Sequence, residues 1–312
     1  MTSSNPLRPG LLAAARSSRL ESALSTMRVT RRLVDRFVAG ESEPEVIEAA
    51  AALLDSGRFV SVDYLGEDTT DAARARRTVD AYLSLLQACS TLDAGARSLE
   101  VSVKLSAVGQ NIDRSLALEN MRRICAAADD EGVLVTIDAE DHTTTDSTLS
   151  IVRELRYDFP DLGTVLQAYL RRTETDCREL SGPRSRIRLC KGAYDEPSSV
   201  AYRNPAEVSD SYLRCLQILM DGDGYPMVAS HDPDMIDAAH RFAQAASREP
   251  DSYEYQMLYG IRDVEQRRLV GAGNRVRVYV PYGDQWYGYF MRRLAERPAN
   301  LMFFARSLIS RN

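Results

Sequence analysis

Histidine and cysteine are scarce, with three and five residues respectively in a chain of 312. The cysteines (Cys89, Cys125, Cys177, Cys190 and Cys215) are scattered, odd in number, and show neither a Cys-x-x-Cys pair nor metal-ligand spacing. A metal centre has little to be built from, and a reduced, cytoplasmic setting is the simpler expectation. Long apolar runs are also missing. None approaches the roughly 20 residues that a spanning helix needs, and Leu11-Leu12-Ala13-Ala14-Ala15 is too short for a secretory core. Peripheral contact with the inner face of a membrane stays open. There is no basic excess: the net charge of -6 argues against a nucleic-acid surface. No Gly-x-Gly-x-x-Gly follows a candidate strand, so a Rossmann site lacks its fingerprint.

What is present is repetition. From Arg58 onward, short Val- and Ile-rich runs alternate with longer helical stretches. The runs are Phe59 to Tyr64, Leu99 to Leu105, Leu134 to Asp138, Thr164 to Tyr169, Ile187 to Cys190, Met227 to Ser230, Tyr253 to Met257 and Arg275 to Val280. Helices are expected over Ala72 to Asp93, Ala117 to Glu131, Thr145 to Asp158, Ala206 to Asp221, Pro233 to Ala246, Asp263 to Ala272 and Gln285 to Glu296, with a short fourth unit around Arg172 to Gly182. Eight strand-helix units predict an α/β fold, a (β/α)8 barrel rather than an open sheet. Residues 1–56 read as helices only (Leu7 to Met27, Arg32 to Val38, Pro44 to Leu54), an N-terminal helical arm ahead of a barrel over 57–312.

A barrel of this kind works at the carboxyl ends of its strands, and polar residues recur there. The second strand ends at Lys104, the third at Asp138, the fourth at Gln167, the fifth in Arg188-Leu189-Cys190-Lys191-Gly192-Ala193-Tyr194, the sixth in Ser230-His231-Asp232, the seventh in Gln256-Met257-Leu258, and the eighth at Tyr279. One such residue is ordinarily a cap or a solvated loop residue; seven strands ending this way point to a site. Lys104 and Asp138, on neighbouring strands, can form an ion pair that is structural or that holds a substrate amine. Gly192 and Ala193 are small enough for a planar ligand to approach the backbone, or simply make a tight turn. His231 suits a cofactor contact or a helix cap; His142 and His240 read as surface residues.

The last segment ends a strand at Pro281-Tyr282-Gly283 and then sets Tyr289, Arg292, Arg293 and Glu296 on one helical face. Two adjacent guanidinium groups match a carboxylate, with Glu296 placed to steady one fork. The same spacing also suits a solvated, salt-bridged surface helix.

Over residues 58–307 these motifs, in this order, resemble the proline dehydrogenase family, in particular its short monofunctional bacterial form. They are Val103-Lys104-Leu105-Ser106, Ile137-Asp138-Ala139-Glu140-Asp141, Leu166-Gln167-Ala168-Tyr169, the Arg188 to Tyr194 run, Ser230-His231-Asp232, Glu254 to Gly260, and Tyr279 to Gly283 with the Tyr289 to Glu296 helix. The resemblance implies a distorted (β/α)8 barrel that binds FAD, oxidises L-proline to Δ1-pyrroline-5-carboxylate and passes electrons to a membrane quinone. It implies that Arg292, Arg293 and Lys104 hold the proline carboxylate, and that Tyr279, Tyr289 and Leu258 pack around the ring. Asp138 would lie beneath the ring site, and Glu296 would steady the arginines or reach the flavin side. Gln167, Arg188, Cys190, Lys191, Gly192, Ala193, Tyr194, Ser230, His231 and Gln256 would line FAD, with Arg188 near flavin N5. The chain departs from the pattern at Cys190, where an aliphatic residue is common, and at Ser230 and Asp232, where longer bifunctional relatives often carry Thr and Asn.

A different chemistry on the same barrel is a Schiff-base aldolase or lyase using Lys104 or Lys191 as nucleophile. A non-catalytic binding module is the third reading. Oligomeric state is open at this level.

Overall fold

The computed structural model describes residues 34–95 and 97–296, with side chains described as far as Arg293. The expected helix over Leu7 to Met27 therefore lies outside the described residues, as do the first residues of the one over Arg32 to Val38. The described elements run α1 (Glu43–Asp55), β1 (Phe59–Tyr64), α2 (Ala72–Cys89), β2 (Leu99–Val103), α3 (Arg114–Asp130), β3 (Leu134–Ile137), α4 (Thr145–Leu155), β4 (Gly163–Gln167), α5 (Thr173–Leu180), β5 (Arg186–Cys190), α6 (Pro205–Asp221), β6 (Tyr225–Ala229), α7 (Pro233–Ala245), β7 (Glu254–Leu258), α8 (Asp263–Gly271), β8 (Val276–Tyr282) and α9 (Trp286–Glu296). The strands pair in parallel in chain order and close into a barrel, β8 lying against β1 with Tyr279 opposite Ser61. This is the expected (β/α)8 architecture, short α5 included.

The strands alternate strictly, because successive side chains point to opposite faces. Val60, Val62, Val101, Val103, Val135, Ile137, Val278 and Val280 belong to the buried apolar layer shared with α1 to α4. Ile187, Leu189, Val228, Tyr255, Met257 and Val276 do the same on the other side with α5 to α8. The intervening residues fill the lumen, and many are charged. Asp63, Glu100, Asp138 and Glu254 face Lys104, Arg186, Arg188 and Arg277, all buried, so four carboxylates balance four cations. Gly163 belongs to this inner set, since a Cβ there would lie 2.3 Å from Thr136 Oγ1. The alternation that dresses the outside with valine thus threads polar groups down the inside.

The first and last of the described helices complete the wall. Val46, Ala50 and Leu53 of α1 join the same apolar layer as β1 and β8, covering the place where the barrel closes. Helix α9 packs elsewhere. Its Trp286, Tyr287, Tyr289, Phe290 and Met291 cluster with Leu65, Leu258, Ile261 and Tyr279, which lie at or near the carboxyl ends of β1, β7 and β8. Helix α9 is therefore seated at the mouth of the barrel rather than on its flank, and Val34, Phe37 and Val38 pack into the same cluster. No helix of the described residues is long and apolar enough to cross a membrane.

Candidate active site

Deep in the mouth, Arg188 of β5 is almost fully occupied. Its guanidinium donates to Glu100 Oε1 at 2.6 Å, Asp138 Oδ1 at 2.7 Å, Ser102 Oγ at 2.8 Å and Gln256 Oε1 at 2.5 Å. Its Cζ lies 5.3 Å from the centre of the Tyr279 ring. Burial by itself would raise the Glu100 carboxyl, but Arg186, Arg277 and Arg188 outweigh it and hold it well below the usual range. Asp138 is likewise lowered, burial being overcome by Lys104 and Arg188. Gln256 faces Arg188 with its oxygen because its nitrogen donates to Glu254 Oε1 at 2.6 Å.

Lys104 sits one layer up. Its ammonium contacts both oxygens of Asp63, at 2.8 and 2.7 Å, and reaches Asp138 Oδ2 at 3.5 Å. The expected Lys104–Asp138 contact is present, but the tighter partner is Asp63 on β1, which the strand-end reading missed. Burial works against the charge on Lys104, yet Asp63 and Asp138 prevail and raise its pKa. The same burial lifts the Asp63 carboxyl; an ammonium bonded to both its oxygens keeps it ionised. Tyr279 donates to Asp138 Oδ2 at 2.7 Å and remains a phenol, its pKa raised by burial and by Asp138.

Above this polar floor stand the residues expected around a ring. Tyr289, Leu258 and Tyr279 share one apolar cluster. Arg292 lies on the same helix as Tyr289, and the glutamate seen to hold it is Glu67. Arg292 Nη1 and Nη2 pair with Glu67 Oε1 and Oε2 at 2.5 and 3.1 Å, Glu67 coming from the loop after β1. Burial opposes the Arg292 charge and Glu67 more than restores it. The side chain of Glu296 lies outside the described residues. Arg293 stacks its guanidinium over the Tyr289 ring, 5.1 Å from the centroid.

The residues expected to line a cofactor run along the mouth from β4 to β7. Gln167 donates to the Glu140 carbonyl at 2.8 Å, and Cys190 lends its thiol to the Leu166 carbonyl at 3.7 Å. Lys191 Nζ bonds Asp232 Oδ2 at 2.7 Å and Ser209 Oγ at 3.0 Å. This gives Asp232 two jobs, since it also caps α7 through the Asp234 N–H at 3.2 Å. Ser230 Oγ accepts the Asp232 N–H at 3.1 Å. His231 Nε2 accepts the Leu258 N–H at 2.9 Å, so the ring is neutral with its proton on Nδ1, a donor. His142 is no bystander: it is bonded to the buried carboxylate of Glu196. Gly192 needs its φ of +109°, but the space over it is taken by the chain's own Tyr169, whose Cδ1 would lie 2.2 Å from an added Cβ. The open approach expected there is filled by an aromatic ring; Ala193 and half-buried Tyr194 continue the loop.

Glu140 is a site residue that motif reading quoted without assigning a role. Its carboxyl is pushed up from 4.5 to about 7, burial outweighing the donors of Ser106, whose N–H it accepts at 3.0 Å. A carboxyl raised in the folded state binds its proton more tightly there than when unfolded. Its stabilising contribution is whole below about pH 4.5 and lost as pH rises through about 7. Glu140→Gln is therefore expected to gain stability relative to the parent between pH 5 and pH 8, by roughly 2 to 3 kcal/mol at most. Urea unfolding at both pH values checks this, and a difference that does not move with pH would refute it.

Comparison with known proteins follows the same outline. The model of the proline dehydrogenase family matches residues 46–306. Proline dehydrogenase of Deinococcus radiodurans is 42% identical over 282 residues, covering 89% of this chain and 90% of that protein. Proline dehydrogenase 1 of Bacillus subtilis is 36% identical over 282 residues, covering 90% and 92%. In fold, the crystal structure of proline utilization A from Bdellovibrio bacteriovorus superposes with a TM-score of 0.80 at 24% identity. This chain covers 33% of that longer protein, and 86% of its own length is matched. With sequence shared along nearly the whole barrel and these two curated relatives matched over 90% and 92% of their length, the chain belongs to the proline dehydrogenase family.

Proposed function

We propose that this protein oxidises L-proline to Δ1-pyrroline-5-carboxylate, with noncovalently bound FAD as the immediate acceptor and a membrane quinone as the final one. The observation that carries this reading is the vertical order of the site. A guanidinium on α9 stands beside an apolar wall of Tyr289, Leu258 and Tyr279, over a floor of Lys104, Asp138 and Arg188. A small amino acid with an anionic head and an apolar ring matches that order.

The donor set fits the cofactor. Lys191, His231, Gln167 and Ser230 bring ammonium, imidazole, amide and hydroxyl groups to one side of the mouth, types suited to a ligand with amide edges and phosphates, while Arg188 and Gln256, bonded to each other and to Glu100, Asp138 and Glu254, would set the charge beside them. When bound, FAD supplies the hydride acceptor at N5.

The chain's residues supply position and charge. Arg292, Arg293 and Lys104 hold the substrate carboxylate, which fixes the ring carbon next to nitrogen relative to the cofactor side. The substrate nitrogen must be neutral when the hydride leaves, because an ammonium has no lone pair to form the C=N bond. A permanently charged Lys104 beside it discourages a second cation there and so favours the neutral amine. The same charge speaks against the Schiff-base chemistry: a lysine nucleophile needs a free amine, whereas Lys104 is bonded to Asp63 and Lys191 to Asp232.

The test is an absorbance spectrum of the FAD-supplemented protein before and after anaerobic L-proline. Flavin bands that bleach on adding proline are the expected result. No bound flavin, or bound flavin that proline leaves oxidised, would overturn the proposal. Borohydride trapping of a carbonyl compound on Lys104 or Lys191 would revive the alternative.

A further inference from the structure

Three loops at the mouth are joined by one buried carboxylate that the proposed chemistry does not use. Glu196, 5% exposed, lies in the loop between β5 and α6. Its Oε1 accepts the backbone N–H of His142, in the β3–α4 loop, at 2.9 Å, and its Oε2 contacts His142 Nδ1. The same Oε1 accepts the hydroxyl of Tyr169, in the β4–α5 loop, at 3.2 Å. Its own carbonyl accepts Arg203 Nη1 at 3.0 Å.

Tyr169 is what the loop after β5 is wrapped around. The Tyr169 N–H donates to the Lys191 carbonyl at 2.9 Å, and its carbonyl accepts the Tyr202 N–H at 2.7 Å. Its ring lies flush on Gly192, where a Cβ would come within 2.2 Å. The chain therefore touches the tyrosine at Lys191, at Gly192 and again, through the phenol, at Glu196. Between those contacts it carries Ala193 and Tyr194. The ring is also packed in a small apolar cluster with Leu170, Ala201, Val200 and Tyr194; packing confines it, and the Glu196 bond to the phenol adds the directional tie that packing lacks.

We infer that Glu196 is a positioning residue for cofactor binding, acting through Tyr169 on the Lys191 to Tyr194 loop, with His142 anchoring the carboxylate from the neighbouring loop. The inference rests on the FAD reading above. Loss of Glu196 frees the Tyr169 hydroxyl and unties the β3–α4 loop, so the loop after β5 samples conformations that do not meet the cofactor. The consequence falls on cofactor affinity rather than on proline, because the carboxylate-holding residues on α9 and Lys104 make none of these contacts.

The experiment is titration of the full-length apoprotein with FAD, followed by flavin absorbance and visible circular dichroism, for the parent and for Glu196→Ala, Glu196→Gln, Tyr169→Phe and His142→Ala. Glu196→Ala is expected to raise the Kd for FAD about tenfold, the size of a lost hydrogen bond to a charged group. Tyr169→Phe, which keeps the ring, is expected to shift it the same way by roughly threefold, and Glu196→Gln, which keeps an acceptor for the phenol, to recover most of the loss. At saturating FAD, kcat and the KM for proline should stay within about twofold of the parent. Parent-like FAD binding in both Glu196→Ala and Tyr169→Phe would overturn the inference, as would a change in proline KM larger than the change in FAD Kd. Should Glu196→Ala fail to fold, Tyr169→Phe and His142→Ala decide it alone, both keeping the buried carboxylate. A parent protein that takes up no FAD fails the cofactor reading itself, whereas parent binding with unaltered variants fails only the role of Glu196.

Discussion

Arg188→Met is expected to lower the unfolding free energy by about 3 to 5 kcal/mol, the usual consequence of leaving buried charge without its partner. The side chain is 5% exposed and serves Glu100 and Asp138 at once, at 2.6 and 2.7 Å. Methionine fills much of the volume but supplies no charge, so four carboxylates in the lumen would face three cations. The deficit should be largest at neutral pH. Glu100 and Asp138 both have depressed pKa values in the fold, so what they contribute is present above their unfolded pKa and lost as pH falls through the folded one. Without Arg188 that contribution is smaller to begin with, and the gap between variant and parent closes as acid protonates both groups. Urea midpoints at pH 7 and pH 4 measure this. A loss under about 1 kcal/mol at pH 7 would mean that the carboxylates find protons or water cheaply, and the balanced-lumen account would fall.

The double variant Arg188→Met with Glu100→Gln restores the balance at three carboxylates and three cations, although Arg186 then loses the carboxylate it shared with Arg188. Part of the stability should return, a coupling of roughly 1 to 3 kcal/mol for residues in one network. Simple addition of the two single effects would show instead that the lumen charges act independently. The distinction bears on function, since a rigid charged floor is what keeps Lys104 cationic and Tyr279 pointed at Asp138.

How much of this could be read beforehand follows from the range over which each signal acts. Strand-helix alternation and the polar strand ends are local; the first located the barrel, and the second pointed to the carboxyl ends of its strands as the candidate site. The alternation inside the strands was equally visible: Phe59-Val60-Ser61-Val62-Asp63-Tyr64 and Val276-Arg277-Val278-Tyr279 have period two. Reading only their ends passed over Ser61, Asp63, Glu100, Arg186, Glu254 and Arg277, which line the lumen. Glu67 was out of reach in a different way. Helical spacing could only offer Arg292 neighbours on its own helix, and a partner 225 residues away is delivered by the seating of α9 at the mouth beside the loop after β1. Glu196 is the same case, a loop residue whose partners come from two other loops. Gly192 was read as a place of close approach or a tight turn, and the approach seen in the fold is that of Tyr169, 23 positions earlier and equally beyond local pattern.

Arg292→Ala is expected to reduce kcat/KM for L-proline by at least about tenfold, or roughly 1.4 kcal/mol, and Arg293→Ala by a similar factor. The geometry explains why the effect should be kinetic rather than structural. The Arg292 and Glu67 side chains are 17% and 29% exposed, so their pair is partly solvated, and breaking it should cost about 1 kcal/mol or less in stability. Its value lies in shape. Both Nη groups engage the Glu67 carboxylate, at 2.5 and 3.1 Å, so the planar two-pronged geometry that a carboxylate requires is the one this side chain already uses. Arg292→Lys keeps the charge but loses the fork, and it should recover only a small part of the loss. If the guanidinium binds proline equally in ground and transition states, the loss appears in KM; if it also fixes the ring carbon for hydride departure, kcat falls with it. Near-normal steady-state kinetics in both alanine variants would remove the carboxylate clamp and leave the Arg292–Glu67 pair as a structural tie between α9 and the loop after β1.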